Sequence, residues 1–306
     1  MLKNDLKIHD LLIIGAGPAG LTASIYASRY KLSNAIVGDV LGGLAAEAHK
    51  VSNYPSEDEI RGFELMGKMR QKAIGLGAEL VFGKVIKLEK DGEFFVANLE
   101  DGQQVAGKKL LLATGSNRQR LEINNEKKFL GKGISYCSTC DGMFAKDKIA
   151  MVVGGGNSAV TAGIYLAEVA QKVFLVYRGQ ELKAEPMWID EINKLEKVEI
   201  IYQASIKELI GEEKLEKVIL DNDQEIEVNN LFVEIGSSPA NELAQSLGVE
   251  LDKKGYIKID SAQATNIKNV WAAGDITTGS NGFKQIITAC AEGAVAGESV
   301  FKAGIK

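Results

Sequence analysis

The sequence predicts an α/β fold in which one unit of parallel strands and helices is inserted into another unit of the same kind. Two observations support this: a strand, a glycine-rich turn and a helix open the chain, and the same pattern returns after residue 148. A third is that the chain after residue 241 begins no further copy. Its 306 residues are enough for two domains. We expect a first domain of residues 1–116 and 241–306, and an inserted domain of residues 117–240.

The first copy begins with Leu11–Ile14, a continuous apolar run typical of a parallel strand that is buried on both faces. The turn that follows reads Gly15-Ala16-Gly17-Pro18-Ala19-Gly20, and a helical stretch comes after it. A G-x-G-x-x-G turn between a strand and a helix is the fingerprint of a dinucleotide-binding unit. Gly15 permits the tight turn, Gly17 lets the backbone approach a pyrophosphate, and Gly20 lets the helix pack on the strand.

The next strand of this unit, Ala35–Val37, should end in an acid that binds a ribose. Position 37 is Val, and Asp39 is the nearest candidate. Further along, Lys109–Ala113 is predicted to be a strand, and it is followed by Thr114 and Gly115.

The second copy has the same order of parts. Ile149–Val153 is a predicted strand, Gly154-Gly155-Gly156-Asn157-Ser158-Ala159 is a G-x-G-x-x-A turn, and Val160–Val169 is its helix. A later strand, Leu231–Ile235, ends in Gly236. We therefore expect a second dinucleotide-binding-type unit.

The C-terminal segment is predicted to complete the first domain. Gly255–Ile259 is expected to be a short strand, and Val270–Ala273 a strand followed by Gly274 and Asp275. The Ala- and Gly-rich stretch Ile286–Phe301 is expected to be a helix, in which Cys290 is a small buried hydrophobic residue.

The sequence Cys137-Ser138-Thr139-Cys140-Asp141 is the strongest candidate for chemistry. A structural zinc site needs four N or S ligands, and the chain offers only Cys290, His9 and His49 besides this pair, none of them in a second cluster. Haem attachment would require a histidine at position 141, and a structural disulfide closing so short a loop would add little stability. A redox dithiol is therefore favoured and no metal site is predicted; an acid beside the second thiol can move the proton of dithiol–disulfide exchange.

Composition excludes several classes of function. The net charge is −5 with no basic run, so nucleic acid is not an expected partner. The apolar run Leu11–Ala27 contains three glycines and a proline, which fit a strand, a turn and a helix rather than a membrane span. The N-terminus lacks a signal-peptide layout, and three cysteines do not form a secreted disulfide framework, so we expect a soluble cytoplasmic protein.

Taken together, these motifs resemble the low-molecular-weight thioredoxin reductase family of FAD-containing disulfide oxidoreductases. The resemblance covers essentially the whole chain through the order and spacing of Gly15–Gly20, Gly42-Gly43, Asn53-Tyr54-Pro55, Ala113-Thr114-Gly115, Cys137–Gly142, Gly154–Ala159 and Ala273-Gly274-Asp275 with Gln285. It implies two Rossmann-like dinucleotide-binding domains of the three-layer ββα type, the second inserted into the first. It also implies a homodimer.

The resemblance further implies where the cofactor and the reacting groups lie. FAD would bind the first domain, Cys140 would face the flavin, Cys137 would attack the partner's disulfide, and Asp141 would be the acid/base. Leu44 stands where the family usually has Gln, and Lys284 where it usually has Arg. The implied FAD contacts are Gly15, Gly17, Pro18, Ala19, Gly20, Asp39, Gly42, Gly43, Leu44, Asn53, Ala113, Thr114, Gly115, Gly274, Asp275, Lys284, Gln285 and Ile286.

The electron donor stays open. Family members that use NADPH carry H-R-R-x-x-x-R after the second strand of the inserted domain, where this chain has Tyr177, Arg178, Gly179 and Lys183. A lysine cannot offer the fork of an arginine, and an acid that would favour NADH is missing. NADPH, NADH, reduced ferredoxin and a deazaflavin are all candidates. The residues that could hold a nicotinamide nucleotide are Gly154, Gly156, Asn157, Ser158, Ala159, Arg178 and Lys183.

The expected function is that of a thioredoxin reductase. FAD would pass two electrons to the Cys137–Cys140 disulfide, which would reduce thioredoxin or a thioredoxin-like protein. Two alternatives are a dithiol oxidase that passes electrons to oxygen, and a flavin-bearing redox sensor without turnover. The acid at Asp141 favours turnover, because a sensor needs no proton donor.

Overall fold

The computed structural model of the protein describes residues 6–304. Their contacts form two compact units. Unit 1 comprises the described residues up to Asn117 and from Pro239 onward, and unit 2 is Arg118–Ser238. The domain borders expected from the sequence, 116/117 and 240/241, differ from these by one or two residues and stay a prediction. Between residues 6 and 304, no helix has both the length and the apolar character needed to cross a bilayer.

The helices and strands are as follows in chain order. They are β1 (Ile8–Ile14), α1 (Pro18–Arg29), β2 (Asn34–Gly38), α2 (Gly62–Gly75), β3 (Glu79–Phe82), β4 (Val85–Asp91), β5 (Phe94–Leu99), β6 (Gln104–Leu112), β7 (Ser116–Arg118), α3 (Glu126–Phe129), β8 (Ile134–Ser135), α4 (Ser138–Asp141), β9 (Ile149–Val153), α5 (Asn157–Val169), β10 (Lys172–Tyr177), α6 (Pro186–Ile192), β11 (Val198–Tyr202), β12 (Ile206–Ile210), β13 (Lys217–Leu220), β14 (Glu225–Glu227), β15 (Asn230–Val233), β16 (Ser237–Pro239), α7 (Glu242–Ser246), β17 (Val270–Ala272) and α8 (Ile286–Lys302).

Unit 1 is built on a seven-stranded sheet in the order β3-β2-β1-β6-β5-β4, with β17 also beside β6. Strand β1 is parallel to both β2 and β6, whereas β4, β5 and β6 are antiparallel. Leu11 and Ile13 belong to one buried cluster, and Leu12 and Ile14 to another. The predicted strand with two buried faces is therefore confirmed.

Unit 2 repeats this plan on a smaller scale. Its five-stranded sheet has the order β11-β10-β9-β15-β8, in which every pair is parallel, and an antiparallel sheet has the order β12-β13-β14. The two glycine turns are held by equivalent backbone hydrogen bonds. The N–H of Gly15 donates to Val37 O at 2.8 Å, and the N–H of Gly154 donates to Val176 O at 3.0 Å. The two Rossmann-like units predicted from the sequence are confirmed.

The short strand predicted over Gly255–Ile259 is wrong. Only isolated bridges form here, from Ile257 to Leu251 and to Thr277. The side chain of Asp252 accepts hydrogen bonds from the N–H groups of Lys254 and Tyr256, at 2.8 and 2.9 Å. This local turn uses a backbone group that a longer strand ladder would need.

Helices α1 and α8 pack closely because α8 carries glycine where the two helices meet. A Cβ at Gly293 would lie 2.2 Å from the carbonyl oxygen of Ala19, and one at Gly297 would lie 2.9 Å from Tyr26 Cβ. The rings of Tyr30 and Phe301 stack at 4.4 Å further along. The contacts run in the same order along both helices, so α1 and α8 are parallel. Their N-termini therefore lie at the same end of unit 1.

We expect Gly293→Ala to destabilise the protein by about 2 kcal/mol or more, because the added methyl meets backbone that cannot yield. The same substitution at Gly67 is the control, since that helical glycine has no atom within 4 Å of its missing Cβ. Gly67→Ala should be neutral or stabilise by up to about 1 kcal/mol. Urea denaturation measures both, and equal midpoints would contradict this account of the packing.

Candidate functional site

The glycine turn of unit 1 depends on close backbone contact. Gly15 has a φ of +113°, and a Cβ there would lie 2.1 Å from the carbonyl oxygen of Ala113. A Cβ at Gly20 would lie 2.0 Å from the carbonyl oxygen of Gly15. No side chain fits at either position. The turn therefore brings β1, the start of α1 and the residues after β6 together.

A second glycine pair lies against this turn. The N–H of Gly42 donates to Ala16 O at 2.9 Å, and a Cβ at Gly43 would lie 3.4 Å from Gly17 Cα. Gly17 itself is little covered, because the nearest atoms to its missing Cβ are 3.9 and 4.0 Å away. The start of α1 thus presents open backbone, with Pro18 and Ala19 as its first residues. Such a helix N-terminus fits the pyrophosphate of a dinucleotide.

The turn at Gly274 and Asp275 is held beside α1 by a buried acid. A Cβ at Gly274 would lie 2.9 Å from Ala19 Cβ. The Glu292 carboxylate, projecting from α8, accepts a hydrogen bond from Gly274 N–H at 2.8 Å and one from the Thr277 hydroxyl at 2.7 Å. It also accepts one from the Ser280 hydroxyl. Glu292 therefore links three groups of this turn to α8.

Asp275 and Lys284 are both shielded from water. Burial raises the pKa of the Asp275 carboxyl, an effect that the Lys284 ammonium opposes and Glu292 reinforces. Burial also lowers the pKa of Lys284. The Lys284 ammonium donates to Thr277 O at 2.5 Å and lies 4.7 Å from the centre of the Tyr256 ring. Lys284 is therefore engaged with the protein itself.

Of the other predicted cofactor residues, some contact one another and others do not. Asn53 donates to the Gln285 side chain at 3.1 Å across 232 positions of sequence, and Gln285 precedes Ile286 at the start of α8. Thr114 donates instead to Ala240 O at 2.8 Å, and Gly115 O accepts from Ala240 N–H. The side chains of Asp39 and Leu44 are exposed.

The two thiols of unit 2 form a disulfide. Cys137 and Cys140 have Cα atoms 5.3 Å apart, and Cys137 caps the short helix α4. The N–H of Cys140 donates to Cys137 Sγ at 3.1 Å. Cys140 is exposed and Cys137 half-buried.

Asp141 is fixed by a residue that the sequence did not single out. The Ser135 hydroxyl donates to Asp141 Oδ2 at 2.7 Å and accepts from the N–H of Cys137 at 3.0 Å. One buried hydroxyl therefore contacts both the predicted acid and the backbone of the first cysteine.

The glycine turn of unit 2 has an acid at its edge. A Cβ at Gly156 would meet nothing within 4 Å, so the backbone is open there as it is at Gly17. However, Asn157 donates to the Glu185 carboxylate at 3.1 Å and accepts from the N–H of Glu185 at 2.7 Å. Ser158 is exposed and Ala159 is buried. The carboxylate disfavours a phosphate near the start of α5.

Tyr177 covers the rest of this turn. A Cβ at Gly155 would lie 2.4 Å from its ring, and one at Gly179 would lie 2.5 Å from it. In unit 1 the residue after Val37, which corresponds to Tyr177, is Gly38. A cavity of about 800 Å³ adjoins the ring, and its lining residues are Tyr177, Arg178, Gly179, Gln180, Glu181 and Lys183. Two cations, Arg178 and Lys183, and one acid, Glu181, therefore line this cavity.

Sequence reasoning overlooked Ser135 and Glu292. Glu292 could have been noticed as an acid flanked by small residues in the middle of an apolar helix. Ser135 gave no such signal, because a serine near a cysteine pair is unremarkable in sequence. Cys290 is buried as predicted, and burial raises the pKa of its thiol.

Two dinucleotide-type units in one chain, one of them carrying a C-x-x-C disulfide, define a disulfide oxidoreductase of the two-nucleotide-domain class. The family model of pyridine nucleotide-disulphide oxidoreductases matches residues 9–293. Thioredoxin reductase of Listeria innocua is 36% identical over an alignment of 308 positions, which covers 98% of this chain and 95% of that protein.

Two solved structures are also similar. Thioredoxin reductase of Lactococcus lactis is 33% identical, with a TM-score of 0.91 and coverage of 96% of this chain and 98% of that one. A ferredoxin-flavin thioredoxin reductase of Clostridium acetobutylicum is 31% identical, with a TM-score of 0.53 and coverage of 98% and 100%. This chain belongs to the low-molecular-weight thioredoxin reductase family of FAD-dependent disulfide oxidoreductases.

We expect Glu292→Ala to lower stability by about 2–4 kcal/mol, because three donors, two of them buried, lose their acceptor. FAD should also dissociate more readily, since Gly274 and Asp275 are no longer held beside α1. Glu298→Ala is the control on the same helix, because its pair with Lys302 is exposed, at 2.9 Å, and should cost at most about 0.5 kcal/mol. Urea denaturation and the FAD retained after gel filtration measure both effects. Equal FAD retention by the two variants would contradict the assigned role of Glu292.

Proposed function

We propose that this protein is a reductase of thioredoxin or a thioredoxin-like protein, in which the Cys137–Cys140 disulfide takes two electrons from FAD on unit 1 and delivers them to the partner. The observation that carries the proposal is the segment Cys137–Asp141, which we call the redox loop. Here the Ser135 hydroxyl contacts both the bonded cysteine pair and the Asp141 carboxylate. Bound FAD would supply a group that accepts and donates an electron pair.

The residues of unit 1 fit FAD. The pyrophosphate would lie on the open backbone at Gly17, between the turn Gly15–Gly20 and the pair Gly42-Gly43. Asp275 would bind the ribityl–phosphate region, with Gln285 and Asn53 near the ring system. The further proposed contacts are Pro18, Ala19, Asp39, Leu44, Ala113, Thr114, Gly115, Gly274, Lys284 and Ile286.

Cys137 is proposed to be the thiol that attacks the partner. The N–H of Cys140 donates to Cys137 Sγ, and such a donor favours the thiolate once the pair is reduced. Attack on the partner's disulfide forms a mixed disulfide and releases one partner thiolate, which takes a proton. Cys140 then attacks Cys137 Sγ, restores the Cys137–Cys140 bond and releases the second thiolate. Asp141 would move these protons.

The surface beside the pair favours a protein partner over a small dithiol. Met143 and Phe144 follow the redox loop and are 58% and 67% exposed. Lys146 and Lys148 are exposed just beyond them, and the Lys148 ammonium donates to Phe144 O at 2.8 Å. Two exposed apolar side chains suit a protein with an apolar surface around its disulfide. The two lysines outnumber Asp147, the exposed acid between them, so an acidic partner is favoured. The homodimer implied by the resemblance and the cytoplasmic location expected from the sequence stay predictions.

We expect Cys140→Ser to retain FAD but to lose turnover with thioredoxin. With oxidised thioredoxin it should accumulate a covalent complex on a non-reducing gel, because Cys137 can attack but nothing displaces the partner. Cys137→Ser is the matched control and should form no complex. The reverse pattern would exchange the two roles. Peroxide formation from a small dithiol, without any thioredoxin reduction by the unmodified protein, would instead identify the dithiol oxidase.

We further propose reduced ferredoxin as the electron donor, two molecules per flavin, in preference to NADPH. A 2′-phosphate is best held by an arginine fork, whereas here the ring of Tyr177 lies across Gly179 and two acids, Glu181 and Glu185, are close by. Arg178 and Lys183 are exposed cations on the cavity wall. The similar protein of Clostridium acetobutylicum, named for ferredoxin, agrees with this choice.

Anaerobic mixing tests the donor. Reduced ferredoxin should bleach the flavin absorbance rapidly, whereas micromolar NADPH or NADH should leave it unchanged over the same seconds. The triple variant Tyr177→His, Gly179→Arg, Lys183→Arg should gain bleaching by NADPH. Gly179→Arg alone is the control and should gain little, because the ring occupies the space that its side chain needs. Rapid bleaching of the unmodified protein by micromolar NADPH would make NADPH the donor.

A further inference from the structure

Glu234 occupies a special place in the repeated fold. In unit 1, the carbonyl oxygen of Ala113 lies 2.1 Å from where a Cβ of Gly15 would be; in unit 2, the carbonyl oxygen of Glu234 lies 2.1 Å from the corresponding point at Gly154. Ala113 and Glu234 are therefore equivalent residues at the ends of equivalent strands. Alanine at this position is sufficient for the fold of unit 1, because only the backbone carbonyl contacts the glycine. The carboxylate in unit 2 thus requires a separate reason.

The Glu234 side chain is only 5% exposed and contacts two functional parts of unit 2. Arg118, the last residue of β7, donates to Glu234 Oε2 at 2.8 Å. Ser138, which lies between the two cysteines, donates to Glu234 Oε1 at 3.3 Å across 96 positions of sequence. One carboxylate therefore joins the redox loop to the strand on which the chain enters unit 2.

The energetics of this contact are those of a buried ion pair. A carboxylate without water needs a cation and further donors, and Arg118 and Ser138 provide them here. Because Arg118 holds one oxygen, the other is directed at Ser138. Ser138 is the first residue of α4, the helix that carries Cys140 and orients its N–H toward Cys137 Sγ. The carboxylate thus gives the loop a second anchor beside Cys137, in addition to the one that Ser135 provides.

We propose that Glu234 is a positioning residue for the Cys137–Cys140 pair, acting through Ser138, and that Arg118 holds its carboxylate in place. This inference rests on the proposed redox role of the pair. An anchored Ser138 keeps the two sulfurs within bonding distance and so favours the disulfide over the dithiol. Without the anchor the loop has more conformations in the reduced state, and the disulfide closes less readily.

The test is the equilibrium between the pair and glutathione redox buffers, measured on the FAD-loaded protein by alkylation and mass spectrometry of the peptide that contains Cys137 and Cys140. We expect Glu234→Ala and Ser138→Ala each to lower the constant for disulfide formation about tenfold. The double variant should be no worse than either single one, since both remove the same contact. Arg118→Met should lower the constant in the same direction.

Two variants separate positioning from general damage. Glu234→Gln keeps an oxygen for Arg118 and can donate to the Ser138 hydroxyl, so it should recover most of the equilibrium. Glu225→Ala removes an exposed ion pair with Lys217 in the same unit and should leave the constant unchanged. Urea denaturation of each variant shows whether it is folded.

An unchanged constant in Ser138→Ala, with a folded but destabilised Glu234→Ala, would overturn the proposal and leave an ion pair that serves stability alone. An unchanged constant in Arg118→Met would overturn the part assigned to Arg118. If the unmodified protein fails to reduce thioredoxin while the equilibrium still shifts as expected, the proposed function fails and the positioning role stands.

Discussion

The structure depends on one constraint, the close backbone contact at the first glycine of each turn. At Gly15 and at Gly154, a carbonyl oxygen from another strand occupies the space that a side chain would need. Each glycine N–H is bonded to the end of a further strand. Three strand ends and the start of a helix are thereby brought to one point. Since every larger residue is excluded, the position of the turn is fixed before any cofactor binds.

The two glycine turns share the same scaffold, but the residues around them differ. In unit 1, small residues such as Gly17 and Gly43 leave open backbone at the start of α1. In unit 2, the backbone at Gly156 is also open, but the ring of Tyr177 lies against Gly155 and Gly179, and Glu185 stands at the start of α5. The turn therefore permits nucleotide binding, while the neighbouring side chains decide whether a nucleotide is favoured.

Two buried carboxylates complete what the glycine turns begin. Glu292 holds the Gly274 turn in unit 1, and Glu234 joins Arg118 to Ser138 in unit 2. A buried carboxylate is costly unless donors surround it, so its partners must be held in matching positions. This requirement makes such residues good positioning devices. Their loss leaves several groups unsatisfied at once.

The sequence by itself determined the elements, the repeat and the redox pair, because their signals are local: the apolar run Leu11–Ile14, the two glycine turns, and two cysteines in one short loop. It failed where a distant or unexpected partner decided the outcome. The side chain of Asp252 replaced the strand predicted at Gly255–Ile259 with a turn. Only the tertiary structure brought Ser138 to Glu234 and Asn53 to Gln285. A hydrogen bond depends on separation in space, and spacing along the chain does not encode that separation for residues so far apart.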